Sequence, residues 1–191
     1  MNIMKKIIAL SLLALAFTPV TTINVAAKEN NDEPALTESN VYEAHFDMSN
    51  PNKQEAILYD AEGQPIVISI GEELSPSLTR GEIIKNGTFD RIFAAQNGIF
   101  NMQARFKGTC NPYITRFTSV SGGIFRAIGA TFIRERHGST TAANDPNMGV
   151  GLYQVDYTLP DIGGTFTASL EVYLRPGQTG AEAIVMIRLN P

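Results

Sequence analysis

Cys110 is the single cysteine of the 191-residue chain, and with His45 and Arg116 it makes a set whose types suit nucleophilic chemistry. A thiol becomes a nucleophile at neutral pH when adjacent cationic groups lower its pKa. Cys110 also closes an alternating stretch ahead of Asn111-Pro112, a turn signal. A small buried residue at a strand end is the simpler expectation for it. His137 with Ser139 and either Asp145 or Asp156 offers a second set, the base, nucleophile and acid of a hydrolase. No serine in the chain lies in a Gly-x-Ser-x-Gly elbow, and Arg134-Glu135-Arg136-His137 reads as a charged strand end.

Metal chemistry is poorly supplied. Two histidines and one cysteine do not furnish a zinc set. Asn144-Asp145-Pro146-Asn147-Met148-Gly149 gathers oxygen donors and ends on glycine, as a calcium loop does. It lacks the ligand spacing and bidentate glutamate of an EF-hand, so a turn held by Asx side chains is expected. No metal and no cofactor is implied. A sugar platform would need an exposed aromatic ring, and the chain has no tryptophan. Alternation points Tyr153 and Tyr157 inward and Tyr173 outward, beside Glu171 and Arg175. Tyr113, Asp145, Asn147 and Tyr173 are therefore the candidate ligand contacts. No residue is assigned a catalytic role.

The elements that position these residues begin after a leader. Lys5 and Lys6 precede an apolar run from Ile7 to Phe17, Pro19 ends it, and Val25-Ala26-Ala27 fits cleavage after Ala27. The run is too short for a stable membrane anchor, which needs about 20 apolar residues. Export and release from the cell are expected. Lys28 stands at the new N-terminus, where a bacterial lipoprotein needs cysteine. Losing the leader takes the formal charge from −4 to −6. That argues against nucleic acid and anionic polymers as partners. Lys28–Asn40 is polar and acid-rich, a flexible linker by composition. Residues 41–191 then suffice for one domain with its own core.

Within that domain the dominant pattern is period two. Tyr42, Ala44 and Phe46 share one face of an opening strand. Glu55–Tyr59 and Pro65–Ile70 flank Asp60-Ala61-Glu62-Gly63 as a hairpin. Ile83–Lys85 precedes Asn86-Gly87, and Asn97-Gly98 precedes Ile99–Phe106; both dipeptides favour hairpin turns. Tyr113–Val120 is read as a strand turned by Gly122-Gly123. Ile124–Arg136 is read as strand, and Gly138–Gly149 as a small-polar loop. Leu152–Leu159, Thr165–Arg175 and Ala183–Leu189 complete the set. Nine or ten short strands with polar outward faces predict an all-β antiparallel sandwich or flattened barrel.

Residues Asn86–Arg175, with the opening strand Tyr42–Asp47 and the hairpin Gln54–Ile70, resemble an uncharacterised family of small secreted proteins from Gram-positive Firmicutes. The features carrying the resemblance are Asn86-Gly87-Thr88-Phe89, the long alternating strand Gly98–Phe106 and the Thr-rich strand through Val120. The family's aromatic before the long strand is replaced by Ile99-Phe100. The resemblance implies secretion and a β-sandwich, and it adds no catalytic residues. Gly108-Thr109-Cys110 also resembles the strand end bearing the nucleophile in secreted cysteine transpeptidases. Arg105-Phe106-Lys107, however, replaces their apolar-threonine strand. The expected function is non-catalytic surface binding in the extracellular space or cell envelope, through Gly138–Gly149 and Asn111–Tyr113, to an unidentified ligand or protein. The alternatives are an enzyme using Cys110 or His137, and a subunit that polymerises through edge strands.

Overall fold

Alternation in the sequence becomes ten strands: β1 Asn40–Asp47, β2 Gln54–Tyr59, β3 Pro65–Ile70, β4 Gly87–Gln96, β5 Phe100–Cys110, β6 Thr115–Ala127, β7 Thr131–Ala142, β8 Asp145–Thr158, β9 Thr165–Arg175 and β10 Glu182–Asn190. The computed structural model describes residues 40–72, 74, 87–161, 163–177 and 181–190. The leader, its cleavage site, residues 28–39 and the strand expected at Ile83–Lys85 lie outside the described residues. One sheet has the order β1-β10-β9-β8-β7, the other β2-β3-β4-β5-β6, and every pairing is antiparallel. Neither sheet closes on itself, so the all-β expectation resolves to a sandwich of two open five-stranded sheets.

The inward sets expected from alternation form the core. Tyr42, Ala44 and Phe46 of β1, Ile66, Ile68 and Ile70 of β3, and Phe100, Met102, Ala104 and Phe106 of β5 are buried. So are Phe166, Ala168, Leu170, Val172 and Leu174 of β9. Phe89, Phe93, Phe106 and Phe117 interlock edge to face, with centroids 5.1–5.6 Å apart. That geometry sets the positive ring edge of one against the negative face of the next. Gly108 lets the second sheet carry this cluster. A Cβ there would stand 2.2 Å from the Arg116 carbonyl and 2.5 Å from the Phe89 ring.

Asn97 makes the β4–β5 turn as expected, its Oδ1 accepting the N–H groups of Ile99 and Phe100, both at 2.8 Å. Two other readings change. Gly122-Gly123 does not reverse the chain; β6 runs through it as a bulge. Gln103 pairs with Ile124 and Arg105 with Ser121, leaving both glycines opposite Ala104. Gly122 has φ +61°, which glycine adopts without a steric penalty. Nor is Gly138–Gly149 a loop. It is most of a hairpin, β7 and β8, with only Ala143 and Asn144 between them. As an edge strand β7 is exposed on both faces along almost its whole length, so no buried alternation was written into its sequence. The stretch Ile124–Arg136 is the end of β6 and the start of β7, separated at residues 128–130.

Arg134, Glu135, Arg136 and His137 put charge or polarity on both faces of the β7 edge, a device that discourages strand-to-strand association. Asp156 faces outward and is pinned by Arg134 Nε at 2.6 Å and Arg136 Nη2 at 2.7 Å. Those two guanidinium groups hold its carboxyl well below the usual carboxylate range. On the second sheet Asp90 plays the same part. Arg105 grips it through two bonds of 2.6 Å and Lys107 lies 3.2 Å away.

Candidate functional site

At one end of the sandwich two connections are built as rigid, tethered turns. Asn111 Oδ1 accepts the N–H groups of Tyr113 at 2.9 Å and Ile114 at 2.7 Å, while its own N–H donates to the Ile114 carbonyl. This Asx turn fixes the backbone before β6 begins. It leaves Tyr113 75% exposed and Ile114 40% exposed, at the tip. Across from it the β7–β8 turn is stabilised by Asp145, whose Oδ1 accepts the Asn147 N–H at 2.9 Å. The expected Asx contact forms, but Asp145–Gly149 opens β8, with residues 146–148 bulging between the Ala142–Asp145 and Thr141–Gly149 pairs.

Two residues of β6 join these turns. Arg116 donates to its neighbour's carbonyl, Thr115 O, at 2.6 Å and to Pro146 O at 2.8 Å. Thr115 is fully buried, and its hydroxyl donates to the Leu174 carbonyl and accepts the Gly149 N–H at 2.9 Å. One side chain thereby ties the second sheet to β8 and β9 of the first. Gly149 permits this approach, since a Cβ there would stand 3.0 Å from the Thr115 carbonyl. Tyr113, Asp145 and Asn147, chosen from sequence as ligand contacts, thus belong to turns at one end of the molecule.

Tyr173 is elsewhere. It lies half-buried on the outer face of the first sheet, paired in register with Val150 and Ile184. Its hydroxyl donates to Glu171 Oε2 at 2.9 Å, and burial together with that carboxylate raises its pKa. Alternation placed its ring correctly. The face around it is less polar than expected, because Val150 and Ile184 are buried there and Leu152 and Met186 are half-buried.

The sets that could have done nucleophilic chemistry do not assemble. Cys110 is buried at the inner end of β5, Arg116 faces outward from the second sheet, and His45 projects from the outer face of the first. His137 points along the inner side of β7 and stacks on Tyr153, with ring centroids 5.1 Å apart. Ser139 follows it on the same side. Asp156 projects from the opposite face to its two arginines, and Asp145 is occupied in its turn. Among the described residues no three His, Cys, Asp or Glu side chains gather as metal ligands would.

His45 has a different role. Its Nδ1 lies 2.6 Å from Glu182 and its Nε2 2.8 Å from Glu43, and Glu182 in turn pairs with Arg175 at 3.1 Å. Both ring nitrogens can donate only in the imidazolium, so the hydrogen bonds to Glu182 and then Glu43 raise the pKa above the ordinary 6.5. A raised pKa means that the folded state holds the proton more tightly than the unfolded chain. The clamp on edge strand β1 is fully present below the ordinary histidine range and is lost as pH rises through the folded pKa. His45→Gln should flatten stability against pH in that interval, read by thermal melts at stepped pH. An unchanged slope would show that the clamp carries no stability.

Sequence reading missed Arg91. It is wholly buried on the inward face of β4, between Phe89 and Phe93. Its guanidinium donates to Gly71 O at 2.9 and 2.6 Å, Asn50 O at 2.7 Å and Asn52 O at 2.6 Å. The signal was available in Phe-x-Arg-x-Phe, which puts an arginine at an inward position.

No family model matches the chain, and no curated protein matches it. Among solved structures it is similar to a hypothetical protein of Listeria monocytogenes. That likeness has 16% identity over 74% of this chain and 99% of the other, with a TM-score of 0.36.

Proposed function

We propose that the protein is exported and acts without catalysis, by binding a protein partner at the cell envelope or in the extracellular space. The contact surface is the end that carries residues 111–116 and 143–148. The supporting observation is that Arg116 and Thr115 fasten both turns to the sandwich while Tyr113 and Ile114 stand out from it. A rigid scaffold that presents a mobile-poor aromatic tip loses little entropy when a partner immobilises it. Tyrosine also supplies a large contact area with one polar handle, as hot-spot residues do. The acidic charge of the released chain favours a protein over an anionic polymer.

The test uses residues 28–191 and envelope and culture-medium proteins of the producing organism, followed by identification of the captured partner and titration of it in pure form. Tyr113→Ala should weaken that pure interaction by about 2 kcal/mol, close to thirtyfold, because a central aromatic anchor is removed. Because the side chain is so exposed, the melting temperature should stay unchanged. Equal affinity of the variant and the parent chain would overturn this surface as the binding site.

A further inference from the structure

The open edge of the second sheet carries a feature independent of the loop end. Among the described residues the edge strands are β1 and β7 in one sheet, and β2 and β6 in the other. Charge on an edge discourages strand pairing, and β1, β6 and β7 carry it. β1 exposes Glu43, His45 and Asp47, and β7 exposes Arg134, Glu135, Arg136 and His137. β6 carries Arg116 and Arg126 and is interrupted by the bulge at Gly122. β2 is different. Its outer face shows Ile57 at 59% exposure and Tyr59 at 62%, and no charge, proline or bulge lies between Glu55 and Asp60. Val67 and Pro65 of β3 stand opposite them in register.

The backbone of that edge is open in a definite phase. Hydrogen-bonded positions recur at every second residue of an antiparallel pair. The Asp60 N–H donates to the Gln64 carbonyl at 3.0 Å, where the β2–β3 ladder ends. Leu58 and Ala56 therefore bond to β3, opposite Ile66 and Ile68. Glu55, Ile57 and Tyr59 turn their N–H and C=O groups to the open side instead. Pro65, which has no N–H to give, sits opposite Tyr59 as this phase requires. The residues whose side chains cover the outer face of β2 are thus the ones that offer free backbone donors and acceptors at its edge.

We propose that β2 pairs antiparallel with β2 of a second copy of this chain, about a two-fold axis through Ile57. The strand is complementary to itself in that register. Ile57 meets Ile57 of the second copy on the axis, and Glu55 meets Tyr59 on either side of it, so the carboxylates are kept apart. Each facing pair exchanges both of its N–H···O bonds. A register shifted either way loses one of these facing pairs. Farther out, Lys53 arrives at Ala61 of the second copy, between the acidic residues Asp60 and Glu62, while it also pairs with Glu55 of its own chain at 2.5 Å. The contact is isologous, so it closes at two copies and does not build a filament. One strand pair lies below the size of standard interfaces, so the dissociation constant should be of order 0.1 mM. The dimer does not depend on the loop end, and either can fail alone.

The experiment is sedimentation equilibrium of residues 28–191 from about 10 µM to about 1 mM, where a dimer of this strength fills. Monomer and dimer should describe the data, with no larger species. Ile57→Lys sets two ammonium groups against each other on the axis and should abolish the dimer. Because Ile57 is exposed in the monomer, the variant should keep the parent melting temperature in dilute solution. Lys53→Glu should weaken association by about tenfold, since both rims of the contact become repulsive. The register is read by disulfide formation with oxidised glutathione at the highest concentration. Glu55→Cys mixed with Tyr59→Cys should cross-link, and neither variant alone should; Cys110 is buried and does not compete. Tyr113→Ala should dimerise like the parent. A chain that stays monomeric throughout, Ile57→Lys dimerising like the parent, or Glu55→Cys cross-linking alone as readily as in the mixture would each overturn the proposal. A monomer whose β2 amides are protected only by a captured envelope protein would assign the edge to that protein and overturn it equally.

Discussion

Arg91→Met should lower the stability of the domain by about 3 kcal/mol, the loss expected when a buried guanidinium that satisfies several carbonyls is removed. Arg91 reaches across from β4 to Asn50 and Asn52, in the β1–β2 connection, and to Gly71 at the end of β3. Two chain segments far apart in sequence are held by one planar fork. Methionine keeps much of the volume and none of the donors, so those carbonyls must be left unmatched or the loops must open to water. At this chain size the loss corresponds to a fall in Tm of about 10 °C. Arg91→Lys keeps the charge but offers a point donor in place of a fork, and it should also be destabilised, by about 2 kcal/mol. The check is thermal and urea unfolding of the purified variants. A methionine variant within about 1 °C of the parent would show that the carbonyls are hydrated at no cost.

Thr115→Val should cost about 2–4 kcal/mol, although the two side chains have the same shape, because the Gly149 N–H and the Leu174 carbonyl lose a buried partner together. The consequence for function is as important as the loss of stability. Thr115 is the point where β6 is fastened to β8 and β9, one residue from the turn that presents Tyr113 and Ile114. Amide exchange should accelerate over residues 111–116 and 147–149 more than over β9 or β10 as a whole. Thr115→Ser retains the hydroxyl and should restore most of the protection. A valine variant as well protected as the parent, with serine the one that loses protection, would show that the methyl group and not the hydroxyl is what matters.

Strands were legible where one face was buried and the other wet. β1, β3, β5 and β9 display that contrast in their residue types, and their inward sets emerge as read. The signal fails where burial is equal on the two faces. β7 is exposed on both, so its histidine, glycine, serine and threonines resemble loop composition although they belong to a twelve-residue strand. A bulge and a turn also look alike in sequence. Gly122-Gly123 carries the residues of a reversal, yet Ile124 and Phe125 resume pairing with Gln103 and Met102. Alternation also puts Arg91 inside, against the habit of charged residues, and only its carbonyl partners explain why that is tolerable.

The candidate site was legible in part. Asn111-Pro112 and Asp145-Pro146-Asn147 announced turns, and those turns lie at one end of the fold. Their attachment through Arg116 and Thr115 was not visible, because it crosses between sheets and depends on register. Polar outward faces were expected everywhere, but Val150, Leu152, Ile184 and Met186 make the middle of one face apolar. Residue types along β8 and β10 contain that information, yet it reads as a fully buried strand until pairing is known.

The most direct test is a hydrogen-exchange footprint of residues 28–191, alone and saturated with the envelope partner captured by the parent chain. Slowed exchange concentrated in residues 111–116 and 143–148, with the strands of both sheets unchanged, is the result predicted. Slowing spread along β1, β2 or the β4–β5 turn, with those two segments untouched, would contradict a recognition surface at this end.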